Sequence, residues 1–209
     1  SCMEVSMDDW NIDICIGYAS KALGSVNGVV PVAISDRAWK VALNRRSPMR
    51  ARFLNLQVWK KFMDEWSSWG HPYPSSMPSS VILALKRATE LALEEGLEKR
   101  YRRHYIAGKA TRAGLRNLDF QIVPKEEEAS STITAARVPN DIDIGKLKGI
   151  LNERFDILIA EMGALTGVNG IRIGHMGVTA SPIYVIPTIA AIEVALAELG
   201  LDVKPGSGV

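Results

Sequence analysis

The chain has 209 residues, of which 47% are hydrophobic and 23% charged, and its formal net charge is +2. These values are typical of a folded protein with a sizeable core, and so small a charge does not indicate nucleic acid or an anionic membrane as a partner. No apolar run approaches the roughly 20 residues that span a bilayer. The spacing of Cys2 and Cys15 indicates neither a metal site nor disulfides, so we expect a protein of the reducing cytoplasm.

The first part of the chain predicts two strands and a helix. "NIDICIGY" (11–18) places isoleucines at alternate positions, which is typical of a buried strand, and "NGVVPVAIS" (27–35) predicts a second strand. Ser35 and Asp36 can then cap a helix through "RAWKVAL". Lys21 follows the first strand in "IGYASKALGS". An ammonium group there is either a surface lysine of a loop or a nucleophilic amine that forms a Schiff base, and the short stretch does not decide.

Helices dominate the middle of the chain. "LQVWKKFMDEWSSWG" (56–70) predicts a helix with aromatic side chains on one face, a pattern typical of a core or a subunit interface. "HPYPSSMPSS" (71–80) is a turn-rich connector that leads into two helices meeting at "EEG" (94–96). The stretch "NRRSPMRARF" (44–53) carries four arginines, and we interpret it as a solvated loop rather than a phosphate site.

From Asp119 onward short strands alternate with helices. The strand candidates are "FQIVP" (120–124), "STITAARVP" (131–139), "FDILIA" (155–160) and "GIRIGHM" (170–176), and helices are predicted at about 143–154 and 185–199. We interpret the acidic residues 126–128 as a solvated hairpin tip. This order predicts a small α/β domain with helices on one face of a mostly antiparallel sheet.

One candidate for binding a carboxylate lies in "IRIGHMG" (171–177). Arg172 alternates with Ile171 and Ile173, so its side chain faces away from theirs on a strand. A guanidinium can hold a carboxylate through two parallel hydrogen bonds, although a salt bridge on a sheet face explains the same pattern. We interpret His175 as a packed, hydrogen-bonded residue rather than a general base.

A second candidate for binding an anion lies in the connector "PYPSSMP" (72–78). Tyr73, Ser75 and Ser76 place hydroxyl groups around the N-terminus of the following helix. Backbone N–H groups and the helix dipole favour an anion at such a position. Taken by themselves, these residues are better explained by capping of the helix by serine.

The order of these stretches resembles that of the class V aminotransferases of fold type I, and in particular the alanine–glyoxylate and serine–pyruvate aminotransferase group. The likeness covers essentially the whole chain through "MDDWNIDICIGYASKALG", "ISDRAW", "EEGLEKRYRRH" and the most specific piece, "RIGHMG". It implies an α/β fold with the end of the large cofactor domain in residues 1–55. A helical, dimer-facing connection is expected in 56–117, and a small C-terminal α/β domain with a mostly antiparallel sheet in 118–209.

The resemblance also implies a site that binds pyridoxal 5′-phosphate. Lys21 matches the lysine that holds this cofactor as a Schiff base and later moves a proton, and Ser20 precedes it in the cofactor loop. Tyr73 and Ser76 match residues that reach the cofactor phosphate of the partner subunit in a homodimer. Arg172 matches the arginine that holds the substrate carboxylate. The implied reaction is transamination between alanine or serine and glyoxylate or pyruvate.

Several features differ from the family pattern. Ala19 and Ser20 stand where the family often has serine and glutamine, and Val26-Asn27-Gly28 replaces a proline-proline-glycine turn. Members of the family are considerably longer, so we expect the C-terminal half of such an enzyme, with apolar surface exposed in residues 1 to about 50. The alternatives are a non-catalytic fragment or subunit that associates with a chain carrying the missing half, and a related pyridoxal-phosphate-dependent lyase. A cysteine desulfurase is disfavoured because no cysteine follows Cys15.

Overall fold

The computed structural model describes residues 2–47, 49–139, 142–163 and 167–209, so Pro48 of the arginine-rich stretch lies outside the described residues. Contacts divide the chain into two compact units. The first is Glu4–Leu91, and the second is Ala92–Val209 together with the residues before Glu4. The domain boundaries expected after residues 55 and 117 refer to a complete enzyme fold and stay a prediction.

The first unit contains a two-stranded sheet and helices. Strands β1 (Ile14–Ile16) and β2 (Val32–Ile34) pair antiparallel, and the helices are α1 (Asp36–Leu43), α2 (Leu56–Glu65) and α3 (Ser79–Glu95), which spans the division between the units. A 3-10 turn at Ser67–Trp69 continues the path of α2 to Gly70, whose φ of 71° ends the predicted helical stretch. These elements confirm the predicted order.

The start of α1 is fixed by the side chains predicted to cap it. Ser35 Oγ accepts a hydrogen bond from the Ala38 N–H at 3.1 Å and donates one to Asp13 at 2.8 Å. Arg37 donates to both carboxylate oxygens of Asp13, at 2.8 and 2.7 Å, and these bonds hold the pKa of Asp13 below its usual value. The residue that leads into β1 is thereby joined to the first turn of α1.

The prediction that the first strand is buried is wrong. Ile14 is 50% exposed and Ile16 is 68% exposed, and Val30 and Val32 of the neighbouring segment are nearly as open. Contiguous apolar surface of this kind is typical of a region that another segment or another chain covers. The expected exposure of apolar surface in residues 1 to about 50 is therefore confirmed.

The second unit is an antiparallel sheet with helices. Its strands are β3 (Gln121–Ile122), β4 (Ile133–Arg137), β5 (Ala160–Glu161) and β6 (Gly170–Gly174), in the order β3-β4-β6-β5, and its helices are α4 (Leu97–Asn117), α5 (Ile144–Phe155) and α6 (Pro182–Glu198). The predicted small α/β domain with a mostly antiparallel sheet is confirmed.

The core of this unit lies between one face of the sheet and the helices. Ala136 of β4 and Ile171 of β6 are directly opposite each other and fully buried. They belong to one cluster with apolar side chains of α4, α5 and α6, among them Leu115, Leu151 and Ile192. Each fully buried leucine or isoleucine contributes about 1.5–3 kcal/mol. This burial fixes which face of β6 is open.

Two local predictions in the second unit need correction. The predicted strand 155–160 is reduced to β5, because α5 continues through Phe155 and Asp156 then adopts a left-handed conformation that ends the helix. The acidic residues 126–128 are exposed, but Glu126 is more than a solvated tip. It pairs with buried Arg112 at 2.7 Å and with Arg116 at 2.6 Å, and these bonds lower its pKa to about 2.

Within the part of the chain that the structure describes, no helix combines the length and the apolar character needed to cross a membrane.

Candidate functional site

Lys21 lies in a turn that follows β1. The Ser25 N–H donates to the carbonyl oxygen of Ala19 at 2.9 Å and closes the turn. Ala19 and Ala22 are buried, so the small side chains on either side of Lys21 anchor its backbone. The lysine side chain itself is exposed. The sequence therefore presents a primary amine on a well-held loop.

The amine of Lys21 has an aromatic neighbour that the sequence did not single out. Its Nζ lies 5.9 Å from the centroid of the Tyr18 ring, within the range of a cation–π contact. Ser20, between them, is half-buried. Further along the same loop, Gly28 has a φ of 113°, a conformation that would be strained for a residue with a side chain. The position therefore needs glycine, although Val26 and Asn27 replace the two prolines of the family pattern.

Tyr73 and Ser76 lie in the connector between α2 and α3. Tyr73 is half-buried, and its ring centroid is 4.5 Å from that of His71. Pro74 is buried, whereas Ser75 and Ser76 are exposed. The connector therefore has a fixed point at Pro74 and exposed hydroxyl-bearing side chains directly after it, which is a suitable arrangement for a phosphate.

Arg172 lies on the open face of β6, as its alternation with two isoleucines predicted. Ile171 and Ile173 are buried, whereas Arg172 is exposed. Its Nε donates to the carbonyl oxygen of Glu161 at 3.1 Å, the one hydrogen bond of this side chain within the residues that the structure describes. No described residue accepts a hydrogen bond from its terminal nitrogens, so the guanidinium can offer a fork to a carboxylate.

The structure places the predicted site residues in both units. The first unit contains Lys21, Ser20, Tyr73 and Ser76, and the second unit contains Arg172. Their assignment as catalytic and binding residues stays a prediction, because it concerns contacts with a cofactor and a substrate.

A buried histidine that the sequence reasoning missed fixes the turn after β6. His104 Nε2 accepts a hydrogen bond from the Gly177 N–H at 2.9 Å, and Nδ1 lies 2.8 Å from the Arg100 carbonyl oxygen. An Nε2 that accepts requires the proton on Nδ1, which then donates to Arg100. Burial lowers the pKa of His104 and keeps the ring neutral.

Arg103 reinforces the same turn. Its NH1 group donates to the carbonyl oxygens of Gly177 and Ala180, at 2.7 and 2.8 Å, and its Nε donates to Glu95 at 2.6 Å. Hydrogen bonding to Arg103 is the main reason that the pKa of Glu95 is lowered. Hydrogen bonds thus join the stretches "EEGLEKRYRRH" and "RIGHMG".

His175 is packed and hydrogen-bonded, as predicted. It is 1% exposed, and its Nε2 lies 2.8 Å from the Thr134 hydroxyl oxygen. Burial lowers its pKa to about 4, so the ring is neutral at physiological pH. Its position on the core face of the sheet, opposite to that of Arg172, disfavours a role as a general base beside that residue.

No family model matches the chain. An uncharacterised aminotransferase of Methanocaldococcus jannaschii is 36% identical to it over 96% of this chain and 50% of the relative. A pyridoxamine–pyruvate transaminase of Mesorhizobium japonicum is 32% identical over 99% of this chain and 52% of the relative. The structure of a ureidoglycine–glyoxylate aminotransferase from Bacillus subtilis matches 98% of this chain and 52% of its own, with 27% identity and a TM-score of 0.86. The chain therefore spans about half the length of the curated relatives that it matches.

Proposed function

We propose that this chain, which is homologous to the class V aminotransferases, is part of an enzyme that transfers an amino group with the help of pyridoxal 5′-phosphate. The donor in this proposal is alanine or serine, and the acceptor is glyoxylate or pyruvate. The names of one relative and one structural neighbour, which include pyruvate and glyoxylate, support this class of acceptor. The whole protein acts as a homodimer in this proposal.

The observation that carries the proposal is the match of 98% of the chain to a glyoxylate aminotransferase at a TM-score of 0.86. The side chains available at the predicted positions also fit the cofactor and its substrates. They comprise an exposed primary amine at Lys21, hydroxyls at Tyr73 and Ser76, and a guanidinium at Arg172. Each group has the chemistry that an aldehyde, a phosphate or a carboxylate requires.

Lys21 has two roles in this proposal. When bound, pyridoxal phosphate supplies an electron sink for the bond that breaks at the substrate α-carbon. The Lys21 amine would hold the cofactor covalently, and as a free amine it would move the proton from the substrate α-carbon. The closed turn from Ala19 to Ser25 limits the positions that this amine reaches.

Arg172 and the connector orient the reactants. Both the amino-acid and the oxo-acid substrates carry a carboxylate next to the reacting carbon, and the terminal nitrogens of Arg172 can hold it in one orientation. Tyr73 and Ser76 would donate hydrogen bonds to the phosphate of the cofactor in the partner subunit. Two subunits would then be needed to complete each site.

Covalent trapping tests the proposal. The complete protein is incubated with pyridoxal 5′-phosphate, reduced with sodium borohydride, digested and analysed by mass spectrometry. We expect the cofactor on the peptide that contains Lys21, and neither trapping nor transamination in Lys21→Ala. Lys40→Ala, which removes an exposed lysine of α1, is the matched control and should behave as the unsubstituted protein.

Three outcomes contradict parts of this proposal. Labelling of another lysine with Lys21 unmodified rules out Lys21 as the cofactor lysine. A complete protein that binds no pyridoxal phosphate favours the alternative of a non-catalytic subunit. Binding and trapping at Lys21 without transamination of any small amino acid favours a lyase of the same fold.

A further inference from the structure

Arg52 holds the backbone of the connector between its two predicted phosphate-binding residues. Its Nε and NH2 groups donate to the carbonyl oxygen of Pro74 at 3.4 and 3.3 Å. That carbonyl belongs to the peptide bond between Pro74 and Ser75, so it lies in the backbone between Tyr73 and Ser76. Both donors belong to one planar group and share this single oxygen.

The guanidinium of Arg52 is itself held in place. Its Cζ lies 5.7 Å from the centroid of the Phe62 ring, which belongs to α2 and is buried. The acceptor, at Pro74, is on a buried residue as well. Arg52 therefore connects the rigid face of α2 to the connector, although its sequence neighbours form an arginine-rich loop.

A series of tilted aromatic rings connects the same helix to the connector. The rings of Phe62 and Trp66 have centroids 4.5 Å apart, and the His71 ring lies 6.2 Å from Phe62 and 4.5 Å from Tyr73. The ring of Tyr73 is thus connected to α2 through aromatic contacts, and the peptide after it is connected through Arg52.

We propose that Arg52 is a positioning residue for the cofactor phosphate, which it affects through the turn that carries Tyr73 and Ser76. This inference depends on the proposed function, in which those two hydroxyls contact the phosphate. Hydrogen bonds to a phosphate are effective only when the donors are held in place before it binds. The Arg52–Pro74 contact holds the backbone of the turn, and the contact of the His71 ring with the Tyr73 ring holds the side chain of Tyr73.

A comparison of two ligands tests this role. Cofactor-free complete protein is titrated with pyridoxal 5′-phosphate and with pyridoxal, which has the same aldehyde but no phosphate, and binding is followed by absorbance. In Arg52→Gln we expect the dissociation constant for pyridoxal phosphate to rise about tenfold and that for pyridoxal to change less than about twofold. Arg52→Lys keeps the charge and a donor group but loses the planar pair of donors, so we expect it to recover only part of the loss.

Arg50→Gln is the matched control for charge. It removes one positive charge from an exposed side chain of the same loop. If Arg52 acted only through its charge at a distance, Arg50→Gln would weaken phosphate binding to a similar degree. We expect this variant to keep the preference for pyridoxal phosphate over pyridoxal.

Several results would overturn the inference. One is that Arg52→Gln binds both ligands as tightly as the unsubstituted protein. Another is that Arg52→Gln binds both ligands more weakly, to the same degree, while its melting temperature falls. An unsubstituted protein that is trapped at Lys21 but shows no preference for the phosphate form overturns this inference and leaves the proposed cofactor lysine intact. A protein that binds neither ligand overturns both proposals.

Discussion

His104 accepts a hydrogen bond from the backbone N–H of Gly177 across 73 residues of sequence, at 2.9 Å. His104 is fully buried, and only its neutral ring can accept at Nε2. The path of the chain immediately after β6, the strand that carries Arg172, therefore depends on a histidine that must stay uncharged. His175, three residues after Arg172, is also buried and has a pKa lowered to about 4.

We predict that the free energy of unfolding falls as the pH drops below 6.5. The folded state holds His104 and His175 with lowered pKa values, so the unfolded chain binds more protons in this range and acid favours unfolding. For His175 the loss begins near pH 6.5, is complete near pH 4, and amounts to at most about 3 kcal/mol. Urea unfolding between about pH 7 and pH 5 measures the slope before most carboxylates titrate.

Nuclear magnetic resonance distinguishes this explanation from general acid denaturation. The ring-proton resonance of His175 should stay at its neutral position down to about pH 5 in the folded protein. A His175 resonance that titrates at or above pH 6.5 would contradict the assigned effect of burial.

Two glycine-to-alanine substitutions in helices should have opposite effects on stability. A Cβ at Gly114 of α4 would lie 2.6 Å from the Gly208 carbonyl oxygen and 2.8 Å from Ile189 Cγ2 of α6, whereas a Cβ at Gly149 of α5 would meet no atom within 4 Å. We expect Gly114→Ala to lower the free energy of unfolding by about 1–3 kcal/mol, because the two helices must separate. Gly149→Ala should raise it by about 0.5–1 kcal/mol, because alanine favours the helix.

Equilibrium unfolding in urea on the two variants in parallel checks these values, and each serves as the control for the other. Equal stabilisation by both substitutions would mean that α4 and α6 are not in close contact at Gly114. Equal destabilisation would mean that the backbone of α5 is not open at Gly149.

We predict that Arg172→Lys lowers kcat/KM for a carboxylate substrate about tenfold to a hundredfold, because lysine keeps the charge but loses the planar fork. The melting temperature should barely change, since the exposed side chain makes one hydrogen bond, to Glu161, within the described residues. Steady-state kinetics and thermal unfolding on the complete protein measure both quantities.

Arg137→Lys is the matched control for this substitution. Arg137 is an exposed arginine two positions from Ala135, the residue opposite Arg172, and therefore lies on the same face of the sheet. Its substitution should leave the kinetics unchanged. An Arg172→Lys variant that loses stability and keeps normal kinetics would mean that Arg172 forms a structural salt bridge and does not bind the substrate.

Local patterns in the sequence were sufficient to predict most of the helices and strands. They also predicted the direction of one side chain of the candidate site, that of Arg172. The N-cap at Ser35, the break at Gly96 between two helices and the alternation around Arg172 were all predicted correctly. Capping, backbone conformation and the direction of side chains on a strand depend on residues within a few positions of each other. A single sequence contains these relations directly.

The family, and with it the predicted roles of Lys21, Tyr73 and Ser76, came from the order of motifs rather than from local chemistry. The relatives and the matching fold bear out the family, while those roles await the trapping and titration experiments. An exposed lysine or serine has no pattern of its own that separates a surface residue from a catalytic one. The sequence therefore determined which chemistry to look for.

Only the tertiary structure decided which residues hold the site in shape. The Arg52–Pro74 contact joins residues 22 apart and the His104–Gly177 contact joins residues 73 apart, and no local pattern pairs them. The exposure of Ile14 and Ile16 was likewise mispredicted, because alternation specifies a face of a strand but not what lies against it. Burial and long-range hydrogen bonds arise from packing between distant segments, so they are properties of the folded chain as a whole.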